Sequence, residues 1–318
     1  VKAFRDEIRR ETGRAILDYG MIEAGDRVAV AVSGGKDSLT LLDVLLDLRR
    51  RAPVRFDLVA VTVDQGYDGF RWPVMENHFR ALGVPHHIER TRIADTIEDK
   101  KEPGATWCSL CARLRRGVLY RLAREMGWSK IALGHHADDL IETLLLSQLF
   151  NGTIQSMPPI LRAGDGVNVV VRPLCYVWEE AIAAYTKERG LPVICCACPA
   201  CKDLTLKRRR VKALLAELEA AHPGVKRSLL RAQGRLKPTQ LMDPRFLPLG
   251  RTARLAAGRP AEAGADPEAG EDGGPADLEP AAAPALVEIR RARGASEAPS
   301  CGAACACGPL LGGSAAPI

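Results

Sequence analysis

Val28-Ala-Val-Ala-Val-Ser-Gly-Gly-Lys-Asp-Ser38 decides the fold: a buried apolar strand runs straight into a Gly-Gly turn and the start of a helix. Gly34 and Gly35 carry no Cβ, so backbone N–H groups there approach phosphate oxygens closely, and a helix beginning at Ser38 adds the positive end of its dipole. Ser33 and Ser38 offer hydroxyl hydrogen bonds, and Lys36 adds a mobile positive charge. Asp37 either helps hold magnesium or caps the helix. The stretch is not a Walker loop, because the glycine-to-lysine spacing is too short and no Lys-Ser or Lys-Thr pair follows a second glycine. Strand, turn and helix together read as a nucleotide phosphate site.

Outward from this stretch, apolar runs alternate with helical patterns over residues 28–194. That alternation predicts an α/β fold, a doubly wound parallel sheet with helices on both faces. Strands are expected at 28–32, 58–63, 84–88, 131–133 and 167–171, with helices at 39–50, 111–127, 138–150 and 178–189. Leucines at 39, 41, 42, 45, 46 and 48 surround most of the first of these helices and predict its burial. An amphipathic N-terminal helix occupies 1–24, the nucleotide domain 25–200, and a basic helical extension 201–254. Residues 255–318 are Ala, Gly, Pro and Glu in low-complexity order and predict a disordered tail.

Composition narrows the class. The chain has 318 residues, 47% hydrophobic and 26% charged, the balance of a soluble globular protein. No apolar run is long enough to span a membrane, and the charged Lys2 to Arg14 stretch has no signal-peptide core, so a cytoplasmic protein is expected. The net charge of +6 is unevenly placed: residues 202–254 hold fourteen basic and four acidic side chains, a footprint for a polyanion. Arg113, Arg115, Arg116 and the run Arg208 to Arg210 are the candidate RNA phosphate contacts.

In open parallel sheets, ligands sit beyond the carboxyl ends of the strands. Asp64, Gly134 and His135 lie at such ends, and Asp139 follows closely. His136 and Asp138 read as structural. The ten cysteines fall into separate groups. Cys108 and Cys111 form a C-x-x-C pair ahead of a helix, suited to one metal or to a redox disulfide. Cys175 stands alone, Cys195, Cys196, Cys198 and Cys201 form a knot after the last expected strand, and Cys301, Cys305 and Cys307 lie in the tail.

Several segments, in order, resemble the tRNA 2-thiocytidine synthetases, a branch of the PP-loop ATP-pyrophosphatase family with an adenine nucleotide alpha hydrolase-like fold. They are Ser33-Gly-Gly-Lys-Asp-Ser38, Cys108-Ser-Leu-Cys-Ala-Arg-Leu-Arg-Arg-Gly117, Lys130-Ile-Ala-Leu-Gly-His-His136, Met157-Pro-Pro159 and Arg172-Pro-Leu174. The resemblance implies ATP-dependent thiolation of cytidine 32 in the tRNA anticodon loop through an adenylated base. It implies ATP, Mg2+ and a [4Fe-4S] cluster as cofactors. The partners it implies are tRNA, a sulfur donor system such as a cysteine desulfurase, and possible homodimerisation.

By the same resemblance Lys36, Asp37 and Asp139 are the expected catalytic residues, and Ser33 to Ser38, Asp64, Gly134 and His135 bind the nucleotide. Cys108 and Cys111 match two cluster ligands. The later motif departs from the family's Pro-Cys-x-x-Cys, which leaves Cys198 or Cys201 as the third. Two other readings remain open: a 2-thiouridine-type or lysidine-type enzyme on the same loop, or a metal-binding redox sensor with an inactive nucleotide loop.

Overall fold

The computed structural model describes residues 2–100, 107–194, 197–198 and 207–247. The expected tail, Cys195, Cys196 and Cys201 lie outside these residues, as does the side chain of Cys108. The elements are α1 (Lys2–Asp18), β1 (Arg27–Ala31), α2 (Lys36–Arg51), β2 (Asp57–Asp64), α3 (Trp72–Ala81), β3 (His86–Arg90), α4 (Ile93–Asp99), α5 (Trp107–Met126), β4 (Lys130–Ala132), α6 (Ala137–Leu146), β5 (Ile160–Arg162), β6 (Val169–Val171), α7 (Glu179–Arg189), α8 (Lys207–Ala221) and α9 (Val225–Gln233).

The strands form one sheet in the order β3-β2-β1-β4-β6-β5, parallel except for β5, which runs antiparallel to β6 at the edge. Successive strand side chains point to opposite faces, and both faces are covered. Val28, Val30, Leu58 and Ala60 enter one core with α1, α2, α3 and α7; Ala29, Val61 and Ile131 enter a second with α5. Burial on both sides explains why these strands read as continuous apolar runs rather than as alternation. Among the described residues no helix is long and apolar enough to cross a membrane.

The order of strands locates the site. From β1 the chain moves outward through β2 to β3, then returns to place β4 on the other flank of β1. The crevice at the carboxyl end of β1 is therefore the point where strand order reverses. Gly35 is the N-cap of α2, with Asp37 in the first turn and Arg49, Arg50 and Arg51 in the last, matching the helix dipole. The helix stops before Pro53, with Ala52 already extended.

Elements without a sequence forecast are short. α3 is anchored by Met75 and Phe79, and α4 by Ile93 and Ile97, each a single i,i+4 pair. The strand forecast at 167–171 begins only at Val169, because the Asp165 carboxylate accepts from the N–H groups of Val167 and Asn168 in the turn joining β5 to β6. α6 ends at Leu146 and passes into a π turn, Ser147–Asn151.

α2 and α7 are tied by Asp43, whose carboxylate takes two hydrogen bonds from Arg189 at 2.9 Å and one from Tyr185 Oη at 2.6 Å. Burial alone would raise the Asp43 pKa; Arg189 and Tyr185 bring it below the usual carboxylate range. Asp43→Asn removes the charge and strands the Arg189 guanidinium, and urea unfolding is expected to show a loss of about 2 kcal/mol.

Candidate active site

Gly34 stands in the left-handed region at φ 86°. Its carbonyl accepts from Ile194 N–H at 2.9 Å, and a Cβ at this position would overlap the Ile194 side chain. The turn is braced from below: Val32 N–H donates to the Val61 carbonyl at 2.7 Å, and Thr62 Oγ1 donates to the Val32 carbonyl at 2.8 Å. Ser33 N–H donates to Ser38 Oγ, which donates to the Gly35 carbonyl at 3.0 Å. Gly134, at the end of β4, packs against the backbone of Asp37 and Ser38, where a side chain would press on main-chain atoms at about 3.0 Å.

Above this turn lies a cavity of about 320 Å³, within the range of small-molecule sites. Ser33, Gly35, Asp37, Ser38, Gly134, His135 and Asp139 face it, joined by an apolar wall of Val61, Val63, Leu119 and Leu133 suited to a purine. Arg115 and Arg116 face it too. The sequence offered these arginines as RNA phosphate contacts; Arg116 is buried, and Arg115 Nε is buried without a hydrogen-bond partner among the described residues. An unpaired guanidinium nitrogen on a cavity wall calls for an anion. Arg113 is exposed.

Asp64 stands aside. Its carboxylate accepts from Gly66 N–H at 3.0 Å, and the cavity is lined instead by its neighbour Gln65. Gln65 Oε1 accepts from Cys111 Sγ at 3.0 Å, which ties this buried sulfur to a residue of the cavity wall. The loop after β2 meets the later cysteine segment as well, since Ala197 Cβ stands 4.0 Å from where a Cβ on Gly69 would be. Cys198 is the next residue. Among the described residues no three Cys, His, Asp or Glu side chains gather into a metal site, and Cys108 and Cys201 contribute no described side chain. A cluster fits the donor chemistry on the page, because the loop after β2 meets both sulfur-bearing segments: Gln65 holds the buried Cys111 thiol, and Gly69 stands against Ala197, the residue before Cys198. A magnesium ion fits Asp37 and Asp139, as this ion takes one or two carboxylates and completes its shell with phosphate and water.

Asp139 serves twice. It accepts from His136 N–H at 3.1 Å at the start of α6 and lines the cavity. Burial would raise its pKa, yet His136, His135 and Arg208 hold it below the usual value. Asp138 is structural, accepting from Glu179 N–H and Lys226 Nζ, each at 2.8 Å. His135 Nδ1 accepts from Arg172 Nε at 3.2 Å, and Arg172 Nη1 donates to the Pro158 carbonyl at 2.7 Å. A neutral His135 ring therefore carries its proton on Nε2. Gln65, Arg172, Glu142 and Glu179 escaped the sequence reading; only Arg172 carried a signal, as the first residue of Arg172-Pro-Leu174.

A glycine turn at the switch point of a parallel sheet, flanked by cations and carboxylates, defines an α/β nucleotide-binding protein. Residues 6–217 match the family described as the PP-loop domain. The tRNA-cytidine(32) 2-sulfurtransferase of Geobacter sulfurreducens is 54% identical over 237 residues, covering 74% of this chain and 92% of the relative. That of Anaeromyxobacter sp. strain K is 48% identical over 289 residues, covering 91% and 96%. The U34-tRNA thiolase NcsA of Methanococcus maripaludis, solved with its [4Fe-4S] cluster, shares the fold with a TM-score of 0.61 at 22% identity, over 76% of this chain and 84% of that one. The chain belongs to the PP-loop family and stands within it among the tRNA-cytidine(32) 2-sulfurtransferases.

Two outcomes follow from this geometry. Gly34→Ala forces a left-handed alanine against Ile194 and is expected to weaken ATP binding roughly tenfold or more, measured by equilibrium dialysis. Glu142, beside Arg208 on α6, is pushed up to about 7 by burial, with Arg208 opposing. A carboxyl whose folded pKa is raised contributes stability at low pH and loses it as pH rises through that value. Thermal unfolding of Glu142→Gln should therefore gain on the natural protein, by about 2 kcal/mol between pH 5.5 and 8.5.

Proposed function

We propose that this chain thiolates cytidine 32 of tRNA at C2, consuming ATP and releasing AMP and pyrophosphate. The observation that supports the reading is the bond from Ile194 N–H to the Gly34 carbonyl, which brings the residue before the later cysteine segment onto the phosphate turn, while Gln65 of the cavity wall bonds the Cys111 thiol. Close relatives bear the activity in their names.

In this reading, the turn residues Ser33 to Ser38 and the N-terminus of α2 hold the triphosphate through backbone N–H groups, hydroxyls and Lys36. The apolar wall takes the adenine. Cytosine O2 attacks the α-phosphorus, the bond to pyrophosphate breaks, and Lys36, Arg115 and Arg116 stabilise the charge gathering on the leaving group. Asp37 and Asp139 would hold Mg2+, which neutralises phosphate charge. A hydrosulfide then adds at C2 and AMP departs with the former O2, leaving the thiocarbonyl and a proton. Cys108, Cys111 and either Cys198 or Cys201 would hold a [4Fe-4S] cluster, which when bound supplies an open iron to carry that sulfide. No protein nucleophile is needed. The anticodon loop suits such a site because its bases unstack at little cost.

The test is anaerobic: reconstituted protein, ATP, sulfide and tRNA, with nucleosides read by mass spectrometry and AMP counted. One 2-thiocytidine per AMP is expected, and a different thiolated base would overturn the assignment. Cys111→Ser should keep ATP binding within about twofold and lose thiolation.

A further inference from the structure

Four carboxylates on the nucleotide side are held by three cations of the basic helices. Asp138 takes Lys226 at 2.8 Å, and Asp139 and Glu142 each lie 3.5 Å from Arg208. Glu179, the first residue of α7, takes Lys212 at 2.6 Å. Glu179 differs from the others in what its second oxygen does. That oxygen lies 3.1 Å from Nζ of Lys36, which is itself 3.1 Å from Asp37. One carboxylate thus joins the lysine of the phosphate turn to helix α8.

We infer that Glu179 is a positioning residue that fixes the Lys36 ammonium against the triphosphate, and that Lys212 clamps Glu179 in place. The inference rests on the functional reading above for the role of Lys36. A lysine carries its charge on a flexible four-carbon stem and loses much rotamer freedom when ordered. Asp37 is its chain neighbour and moves with the turn, so it sets no direction by itself. Glu179 stands on a separate helix whose first N–H is held by Asp138 at 2.8 Å. With two of the three ammonium donors taken by the Asp37 and Glu179 carboxylates, the third is left for phosphate. Burial would push Glu179 up, but Lys212 and Lys36 hold it down at about 2, so it stays charged wherever the protein is folded and active. Such fixing acts on the charge that grows as pyrophosphate departs, and its loss falls on turnover rather than on binding.

The experiment reads Lys36 directly. Phosphorus NMR of ATP bound to the full chain is recorded for the natural protein, Lys36→Ala and Glu179→Gln, with no RNA present. Glu179→Gln is expected to move the β and γ resonances toward the Lys36→Ala positions, an outcome that does not depend on which base is thiolated. With tRNA, the kcat for AMP release should fall about tenfold while the KM for ATP does not rise. Lys212→Met should move the resonances in the same direction, and should add nothing in the Glu179→Gln background. Unchanged resonances in Glu179→Gln would overturn the inference. So would an unchanged kcat with a lower KM, which would make Glu179 a competitor of phosphate. Absence of thiolated tRNA from the natural protein counts against the functional reading alone.

Discussion

The hydrogen bond between the Gly34 carbonyl and the Ile194 amide is the constraint on which the site depends. It can form only because Gly34 is left-handed and bare of a side chain, so that Ile194 lies directly on the turn. That single contact does two things. It holds the carbonyl of the phosphate turn, and it brings Ile194, the residue before the later cysteine segment, onto that turn. Without it, the phosphate turn would still bind an anion, but the sulfur chemistry would have no fixed place beside it.

A second theme is charge. The nucleotide side presents Asp138, Asp139, Glu142 and Glu179 toward α8 and α9, and these helices answer with Arg208, Lys212 and Lys226. Beneath them Ile141 and Leu146 pack on Val211 and Leu215, with Leu145, Trp178, Leu229 and Leu230 around them. Apolar burial holds the basic extension on α6 and α7, and the partly exposed ion pairs set which charges face each other. Some of the positive charge that the sequence assigned to RNA is spent inside the protein, and Arg115 and Arg116 turn inward to the cavity in the same way.

The phosphate turn was legible in the sequence because strand, glycine pair and helix are contiguous, and local sterics alone dictate their geometry. The central strands were legible because burial on both faces leaves an uninterrupted apolar run. β5, α3 and α4 were not, since three to ten residues with at most two buried anchors carry too little periodicity. Asp64 and Gln65 show a different limit. The strand end was placed correctly, but which of two adjacent side chains faces the crevice depends on where the pleat stops. Glu179 was invisible for a third reason: an acid at a helix start is accounted for by the dipole, and its partners lie far off in sequence on α2 and α8.

Gly34 and Ile194 are separated by about half the chain. During synthesis the turn and its sheet neighbours emerge long before the segment that covers them. A nascent chain lacking residues beyond α7 has the glycine loop without the amide that holds its Gly34 carbonyl. The turn is thus braced only after the polypeptide has doubled back on its own beginning.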